Sequence, residues 1–394
     1  MLKGHNFIYF GPEKWYGLWR NRHQLMSRFS QNNKVVYVEP LMRLKKLRRS
    51  LYNKDIYWNE ILKDIKTNRV TKLNKNLYIF HSPLYTPVSN RSLLKKLTLY
   101  FWKNSLKKVL DKLCIENPII WISRPSCLDL VSKFDKKLII YHVVDEYSAY
   151  SNIDFENKKR IQKQEQKISE KADMIITVSK SLYDSKRALN NHTYLVPNAV
   201  DYHAFARALN SEKQLPTDIS CLPRPIIGYS GLIASKLDFN LLKYMSEAHP
   251  NWSIAMVGFI KDKYCEFEIK LLKQSKNVHF LGLKNIDKIP YYIKAFDVCI
   301  APYKINEHSR NMSPLKIYDY LATGKPVVTT NFTASYLFKE VIKIAKSKEE
   351  FIKHVKDSLS ENNNNLILRR RNIASKNTWE QRVESISQII KSHI

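Results

Sequence analysis

Glycine is scarce in this chain, with only 8 in 394 residues. No G-x-G-x-x-G motif follows the first apolar segment, N-F-I-Y-F-G, which disfavours a dinucleotide-dependent oxidoreductase. The five cysteines form no C-x-x-C pair, which argues against a disulfide framework and against a zinc site. Two of the few glycines, Gly11 and Gly231, directly follow predicted strands, so they are candidates for close approach of the backbone to a ligand.

Long apolar runs are absent as well. No run reaches the roughly 18 apolar residues that a membrane-spanning helix needs. The segment M-L-K-G-H-N-F-I-Y-F-G lacks the apolar core and the small-residue cleavage site of a signal peptide. These two absences lead us to expect a cytoplasmic protein.

Acidic residues are few, 36 against 66 basic ones, which gives a net charge of +30. Biased codon usage could raise lysine everywhere, but the clusters Arg43–Lys54 and Ser92–Lys112 mix basic side chains with leucine and aromatic residues. At helical spacing the second cluster forms an apolar stripe flanked by lysines, which is typical of a helix lying on an anionic membrane surface. We therefore predict peripheral association with the inner face of the cell membrane. No zinc-finger spacing or RNP-like motif supports nucleic acid as a partner.

The order of apolar segments predicts an α/β protein with parallel sheets covered on both faces, and the length suits two domains. In the first half, the predicted strands are Asn6–Phe10, Lys34–Glu39, Leu77–His81, Ile119–Ile122 and Lys137–Val144, and the predicted helices include Asn21–Gln31 and Lys158–Lys171. In the second half, a strand begins at Pro225, and the others are Trp252–Val257, Val278–Leu281, Val298–Ala301 and Val327–Thr330. The predicted boundaries are 1–200 and 225–375 for the two domains, 201–224 for a linker and 376–394 for a C-terminal helix.

The most informative segment is Arg310–Thr330, R-N-M-S-P-L-K-I-Y-D-Y-L-A-T-G-K-P-V-V-T-T. Pro314 suits a first helical turn, and Gly324 suits the left-handed position just past a helix end. The segment therefore predicts a helix over Ser313–Thr323.

Polar groups on this helix are placed for a nucleotide. Ser313, Pro314 and Leu315 form the start of this helix, where the free N–H groups bind a diphosphate, and Lys316 adds a positive charge. Asp319, one turn on, can accept both ribose hydroxyls.

A second group of residues is predicted to serve the same diphosphate. Gly231 lets the backbone approach a phosphate, Ser230 offers a hydroxyl, and Lys236 adds a counter-charge.

The segment Arg310–Thr330 resembles the donor site of GT-B glycosyltransferases, in particular the family 4-like members (glycosyltransferase group 1) and their capsular and teichuronic-type polysaccharide relatives. Further segments resemble the family in the same order: A-D-M-I-I-T-V-S-K-S-L (172–182), V-P-N-A-V-D-Y-H-A-F (196–205), I-I-G-Y-S-G-L-I-A-S-K (226–236) and N-V-H-F-L-G (277–282). The resemblance implies two Rossmann-like domains facing across a cleft, an N-terminal acceptor domain and a C-terminal donor domain. It also implies that the C-terminal helix packs back on the N-terminal domain.

The sequence departs from the family near the donor sugar. The family often carries two carboxylates eight positions apart; Asp319 fills the second place, but Asn311 stands in the first. Arg310, His308 and Glu307 are nearby candidates for holding the sugar.

The segment Y-H-V-V-D-E-Y-S-A-Y, 141–150, resembles another part of the family's site. Two alternatives are open for the catalytic side: His142, or an acidic pair formed by Asp145 and Glu146. Strand alternation puts His142 and Asp145 on opposite faces unless the strand has ended. Glu146 and Gly11 are assigned to the acceptor or diphosphate side.

The resemblance implies transfer of a sugar from a nucleoside diphosphate sugar, UDP-linked, to a saccharide or lipid-linked saccharide in cell-surface polysaccharide synthesis. It also implies a retained anomeric configuration. We expect no cofactor and no metal, because no D-x-D motif stands in a suitable place. The alternatives are a GT-B nucleotide-sugar epimerase and a catalytically silent GT-B scaffold at the membrane.

Overall fold

The computed structural model describes residues 1–54, 57–87, 92–131, 134–147, 155–261, 265–306, 309, 313 and 315–394. The chain divides into two units. Unit 1 comprises Met1–Val196 together with Val383–Ile394, and unit 2 comprises Pro197–Arg382.

Unit 1 alternates strands and helices along the chain. Its strands are β1 (Asn6–Phe10), β2 (Lys34–Val38), β3 (Val70–Lys72), β4 (Leu77–Phe80), β5 (Ile119–Ile122), β6 (Leu138–Val143), β7 (Met174–Thr177) and β8 (Thr193–Leu195). Its helices are α1 (Asn21–Phe29), α2 (Leu44–Tyr52), α3 (Trp58–Lys66), α4 (Ser92–Lys112), α5 (Leu128–Val131), α6 (Phe155–Lys171) and α7 (Lys180–Arg187), with a 3-10 turn at Pro125–Cys127.

The strands of unit 1 form one sheet in the order β3-β4-β2-β1-β5-β6-β7-β8, parallel except for β3, which pairs antiparallel with β4. The central strands β5, β6 and β7 are buried along their whole length, which explains their nearly unbroken runs of isoleucine, valine and aromatic residues. The carboxyl ends of these parallel strands lie at one edge, where open α/β sheets bind ligands.

Unit 2 is built in the same way. Its strands are β9 (Ile226–Ser230), β10 (Ser253–Val257), β11 (Val278–Gly282), β12 (Val298–Ala301), β13 (Val327–Thr330) and β14 (Lys343–Ala345). Its helices are α8 (Tyr202–Asn210), α9 (Thr217–Ser220), α10 (Phe239–Ala248), α11 (Glu266–Lys273), α12 (Ile289–Ala295), α13 (Leu315–Thr323), α14 (Lys348–Leu359) and α15 (Asn364–Ser375), with a 3-10 segment at Thr333–Phe338. The sheet order is β11-β10-β9-β12-β13-β14, with every pairing parallel.

The last helix, α16 (Trp379–Lys391), begins in unit 2, and its residues from Val383 onward belong to unit 1. The predicted α/β class with parallel sheets is confirmed. Among the described residues, no helix is both long enough and apolar enough to cross a membrane.

The predicted linker 201–224 needs correction. It contains α8 and α9, and Phe205, Ala208 and Ile219 are buried in the core of unit 2. Asp201 caps α8 by accepting a hydrogen bond from the N–H of Ala204 at 3.1 Å. The segment is therefore part of unit 2, whose boundary lies at Pro197.

Candidate functional site

The carboxyl end of β9 is shaped by two glycines in left-handed backbone conformations. Gly231 has φ +139° and Gly258 has φ +150°. The N–H of Gly231 donates to the carbonyl of Val257 at 2.8 Å, and a Cβ on Gly258 would lie 1.9 Å from the Gly231 carbonyl oxygen. Two backbone segments therefore approach each other more closely than any side chain would allow.

Helix α13 brings Lys316 to this turn. The Lys316 side chain is only 8% exposed, and its Nζ donates to the hydroxyl of Tyr303 at 2.5 Å. Nζ also lies 4.7 Å and 5.0 Å from the ring centres of Tyr229 and Tyr303. A Cβ on Gly231 would lie 3.0 Å from this nitrogen. We call Tyr229, Tyr303 and Gly231 the lysine cage.

The cage gives Lys316 no anionic partner. Among the residues that the structure describes, it forms no ion pair with a carboxylate. Burial lowers the pKa of Lys316 well below its usual value, the nearby Lys236 lowers this pKa further, and the charge of Asp319 opposes the shift. An ammonium in this position is stabilised as soon as an anion enters the cage.

Asp319 lies one turn further along α13. Burial raises the pKa of its half-buried carboxyl to about 7, Lys316 opposes this rise, and Asp201 adds to it. None of the described residues donates a hydrogen bond to the Asp319 carboxylate. Its capacity to accept hydrogen bonds is therefore available to a ligand.

Other predicted donor residues surround the same turn. The N–H of Ser230 donates to the Tyr320 hydroxyl at 2.9 Å, which fixes the end of β9 against α13. Nζ of Lys236 lies 5.6 Å from the ring centre of Tyr303, and Leu315 is half-buried. The structure thus gathers Ser230, Gly231, Lys236, Leu315, Lys316 and Asp319 around the lysine cage.

The start of the predicted helix needs correction, because α13 begins at Leu315 rather than at Ser313. The carbonyl of Ser313 accepts a hydrogen bond from Nδ2 of Asn198 at 2.6 Å. The remaining predicted contacts lie outside the described residues; they are Glu307, His308, Arg310, Asn311 and Pro314.

In unit 1, Gly11 follows β1 and is required by packing. A Cβ at this position would lie 2.1 Å from the Tyr37 hydroxyl oxygen, which donates to the carbonyl of Glu13 at 2.7 Å. Gly11 also lines a cavity of about 1130 Å³ at the carboxyl ends of the strands.

His142 lies within β6 and is 2% exposed. Its ring meets Trp121 edge to face at 5.6 Å between ring centres, and among the described residues its Nδ1 has no hydrogen-bond partner. Burial lowers the pKa of His142 to about 3, so the imidazole is neutral at physiological pH. These features favour a packing role over contact with a substrate.

Asp145 and Glu146 follow the end of β6 and are both half-buried. Glu146 lies 3.6 Å from Nζ of Lys186, which also lies 3.1 Å from Glu165. Asp145 interacts electrostatically with Tyr147. Burial raises the pKa of the Tyr147 phenol above its usual value, and the negative charge of Asp145 raises this pKa further. Glu146 thus belongs to a buried ion network, whereas Asp145 stays at the strand end.

Residues 224–361 match the family model described as Glycosyl transferases group 1. Unit 2 carries a group 1 glycosyltransferase domain. The sequence resemblance is confirmed by this match, which covers the lysine cage and α13.

A relative and several solved structures extend the likeness. The teichuronic acid biosynthesis glycosyltransferase TuaH of Bacillus subtilis (strain 168) is 29% identical over 251 residues, which cover 60% of this chain and 62% of TuaH. The chain thus aligns with less than two thirds of that relative. Sucrose-phosphate synthase from Thermosynechococcus elongatus superposes with a TM-score of 0.68 at 15% identity over 98% of both chains.

Two further structures have the same fold. Anabaena HepE, crystallised with UDP and glucose, has a TM-score of 0.62 at 14% identity over 98% of this chain and 99% of its own. WaaG, a glycosyltransferase involved in lipopolysaccharide biosynthesis, has a TM-score of 0.60 at 13% identity over 98% and 99%. The predicted GT-B fold is confirmed by these likenesses.

The sequence analysis missed the aromatic part of the group 1 domain's site. Tyr303 comes two residues after β12, at the same sheet edge as Gly231, so the strand-end rule could have identified it. Tyr229 lies inside β9 and Asn198 precedes α8, and neither position carries a local signal. The described residues contain no cluster of three or more side chains suited to a metal, and metal independence stays a prediction.

Proposed function

We propose that this protein is a glycosyltransferase that moves a sugar from a nucleoside diphosphate sugar, UDP-linked, to a saccharide or lipid-linked saccharide of a cell-surface polysaccharide. In this proposal the anomeric configuration is retained, and neither metal nor cofactor takes part. The lysine cage is the observation that carries the proposal.

The cage suits a diphosphate because it holds one cation without an internal anion. Lys316 has aromatic faces and a hydroxyl around it, so a phosphate oxygen entering beside Gly231 meets an ammonium that forms no ion pair with a described carboxylate and feels Asp319 only through its charge. Nζ of Lys236 lies 5.6 Å from the centre of the same Tyr303 ring and adds a second charge. Sugar transfer leaves negative charge on the departing diphosphate, which fixed cations stabilise most effectively in a desolvated site.

Asp319 supplies the complementary contact. Its carboxylate accepts no hydrogen bond from the described residues, and it stands one turn beyond Lys316. This separation matches a ribose bound beyond the diphosphate. The UDP complex of HepE supports the choice of nucleotide, and the name of TuaH supports a polysaccharide pathway.

A thermal-shift screen with UDP, GDP, CDP, ADP and dTDP, with and without magnesium, tests the nucleotide. We expect a selective rise with UDP that magnesium does not change. A shift that requires magnesium would contradict metal independence, and no shift with any nucleotide would contradict the donor site.

Asp319→Ala tests the ribose contact. Loss of a charged hydrogen-bond acceptor should weaken UDP binding by about 1–3 kcal/mol in calorimetry. Asp357→Ala, an exposed acid on α14 of the same unit, is the matched control and should leave the affinity unchanged. Equal affinities for the two variants would sink the assignment of Asp319.

The proposal includes binding to an anionic membrane surface through α4. One face of this helix packs inward through Trp102, Leu106 and Leu110, which are 5% exposed or less. A second apolar face points to solvent; it comprises Leu93, Leu97, Tyr100 and Phe101. Lysines flank this outer face, so the helix combines exposed apolar area with positive charge.

Co-sedimentation with phosphatidylglycerol vesicles at low salt tests this surface. The double variant Leu97→Ser/Phe101→Ser should lose most of the binding. Phe267→Ser/Leu368→Ser removes the same two residue types from exposed positions of unit 2 and should bind like the wild type. Wild-type protein that stays in the supernatant would refute membrane association.

A further inference from the structure

Unit 1 contains a cavity of about 1130 Å³ that the donor site does not use. It lies at the carboxyl ends of β1, β2 and β5, bordered by α2, α4 and α6. This volume lies just above the usual range of small-ligand pockets, so the cavity can enclose more than a single sugar ring.

The charged lining of this cavity is predominantly cationic. Six basic side chains contribute: Arg43, Lys45, Arg48, Lys95, Arg124 and Arg160. The only carboxylates among the described lining residues are Glu39 and Asp129.

Both carboxylates already have partners. Asp129 accepts a hydrogen bond from Nζ of Lys95 at 2.6 Å. Glu39 accepts from the N–H of Trp15 at 3.1 Å, and its other oxygen lies 3.0 Å from Nδ1 of His81. The acidic side chains therefore do not neutralise the remaining cations.

Lys95 is held by Asp129, and Arg160 donates a hydrogen bond to the side-chain oxygen of Asn157 at 2.6 Å, which leaves four cations for a ligand. Arg43, Lys45, Arg48 and Arg124 form no ion pair with any described residue. Arg124 directly follows β5 and is half-buried, so it lies deepest, whereas the other three are exposed on or beside α2. Several converging cations fit a group that concentrates negative charge, and arginine forks match phosphate oxygens.

We infer that this cavity binds the acceptor through a phosphate or diphosphate group that the acceptor carries. The inference rests on the proposed function, because it assigns the acceptor side of the same reaction. Leu94 and Lys95 of α4 line the cavity, and the outer apolar face of the same helix begins beside them. A diphosphate attached to a membrane lipid would thus meet cations in the cavity while its chain stays at the α4 surface.

Inorganic pyrophosphate is the probe, titrated by calorimetry into the full chain with the donor site saturated with UDP. Lys45→Gln/Arg48→Gln removes two lining cations. Lys46→Gln/Arg49→Gln removes the same charges from the same exposed helix, at positions that do not line the cavity. We expect at least about tenfold weaker pyrophosphate binding for the first pair and a change of less than about twofold for the second.

If both double variants bound pyrophosphate equally weakly, net charge alone would attract the anion, and this would overturn the inference. No pyrophosphate binding by the wild type would also overturn it, as would preferential binding of a glucuronic acid oligomer. Phosphatidylcholine vesicles with and without a polyprenyl diphosphate then separate the two phosphate sources. If the vesicles bind the protein only when they contain the diphosphate, and Lys45→Gln/Arg48→Gln abolishes this binding, the acceptor is lipid-linked. If the protein binds pyrophosphate but not these vesicles, the acceptor is a soluble phosphorylated molecule.

The UDP thermal shift is measured on the same variants. If the wild type binds pyrophosphate but UDP does not raise its melting temperature, the proposed function is contradicted and the assignment of a phosphate site to the cavity stands. If UDP raises the melting temperature but pyrophosphate does not bind, only the assignment of a phosphate site to the cavity is contradicted.

Discussion

Two buried lysines, one in each unit, differ in whether a carboxylate pairs with their charge. Lys186 of unit 1 is 6% exposed and lies 3.1 Å from Glu165 and 3.6 Å from Glu146. Lys316 of unit 2 is 8% exposed and meets two tyrosines, with no carboxylate among the described residues in ion-pair contact. The first charge is compensated within the fold, whereas the second is left for a ligand to compensate.

This difference separates structural from functional burial. A buried ion pair compensates part of its desolvation cost within the fold, whereas an isolated ammonium recovers this cost by binding an anion or by losing its proton. Sites that bind charged ligands are places where such a cost is retained.

Removing the compensated lysine should have the largest effect. Lys186→Met leaves the buried Glu165 and the half-buried Glu146 without a counter-charge, and we expect a loss of about 3–5 kcal/mol in the free energy of unfolding, measured with urea. Because burial already raises the pKa of Glu165, the loss should shrink as the pH falls and this carboxyl takes up a proton. Lys180→Met, on the exposed side of the same helix, is the control and should leave the midpoint unchanged. An equal midpoint for both variants would contradict the comparison.

Removing the uncompensated lysine should change binding rather than folding. Lys316→Met should weaken UDP binding by about 2–3 kcal/mol in calorimetry, because the diphosphate loses its buried cation. The ligand-free protein should be as stable as the wild type or more so. Because burial lowers the pKa of Lys316, the buried ammonium reduces stability at neutral pH, and this penalty disappears as the pH rises toward the usual lysine value.

Lys353→Met, an exposed lysine on α14, controls for net charge. If Lys316→Met destabilised the ligand-free protein as much as Lys186→Met does, the contacts of Lys316 in the lysine cage would stabilise the fold rather than serve a ligand.

The smallest effect concerns Asp319 and pH. The proposed ribose contact needs the carboxylate, and burial raises the pKa of Asp319 to about 7, so UDP affinity should fall by up to about tenfold per pH unit below that value. Because the raised pKa favours the protonated folded state, the contribution of Asp319 to stability is lost as the pH rises from about 4 to 7. Asp319→Asn should remove the pH dependence of stability and the part of the pH dependence of UDP affinity that Asp319 causes. It also controls for titration of UDP itself, and an unchanged pH profile in this variant would rule out Asp319 as the titrating group.

Local sequence rules predicted the parts of the fold that depend on local chemistry. The bounds of β1, β5, β12 and β13 agree with the predicted strands, because apolar runs between polar turns determine them. Helix α13 was predicted from its proline and glycine, although the structure begins it at Leu315. Helix α8 was missed, because its apolar face is short and lies between prolines.

The candidate site shows a similar division. Lys316 and Asp319 were predicted because they share one helix. The cage was not predicted, because Tyr229 lies in β9 whereas Tyr303 follows the end of β12, and the two meet only through the pairing of β9 with β12. The packing of Gly11 against Tyr37 likewise depends on the register of β1 with β2.

Helix α16 has a consequence for the order of events during synthesis. The sheet of unit 1 leaves the ribosome first, yet its segment Val383–Ile394 is made only after all of Pro197–Arg382. A chain that folds as it emerges would therefore complete the inner unit before the outer one receives its last helical turns. Unit 1 can therefore bury Val383, Ile386 and Ile390 against its own core only after the last residue of unit 2 has been synthesised.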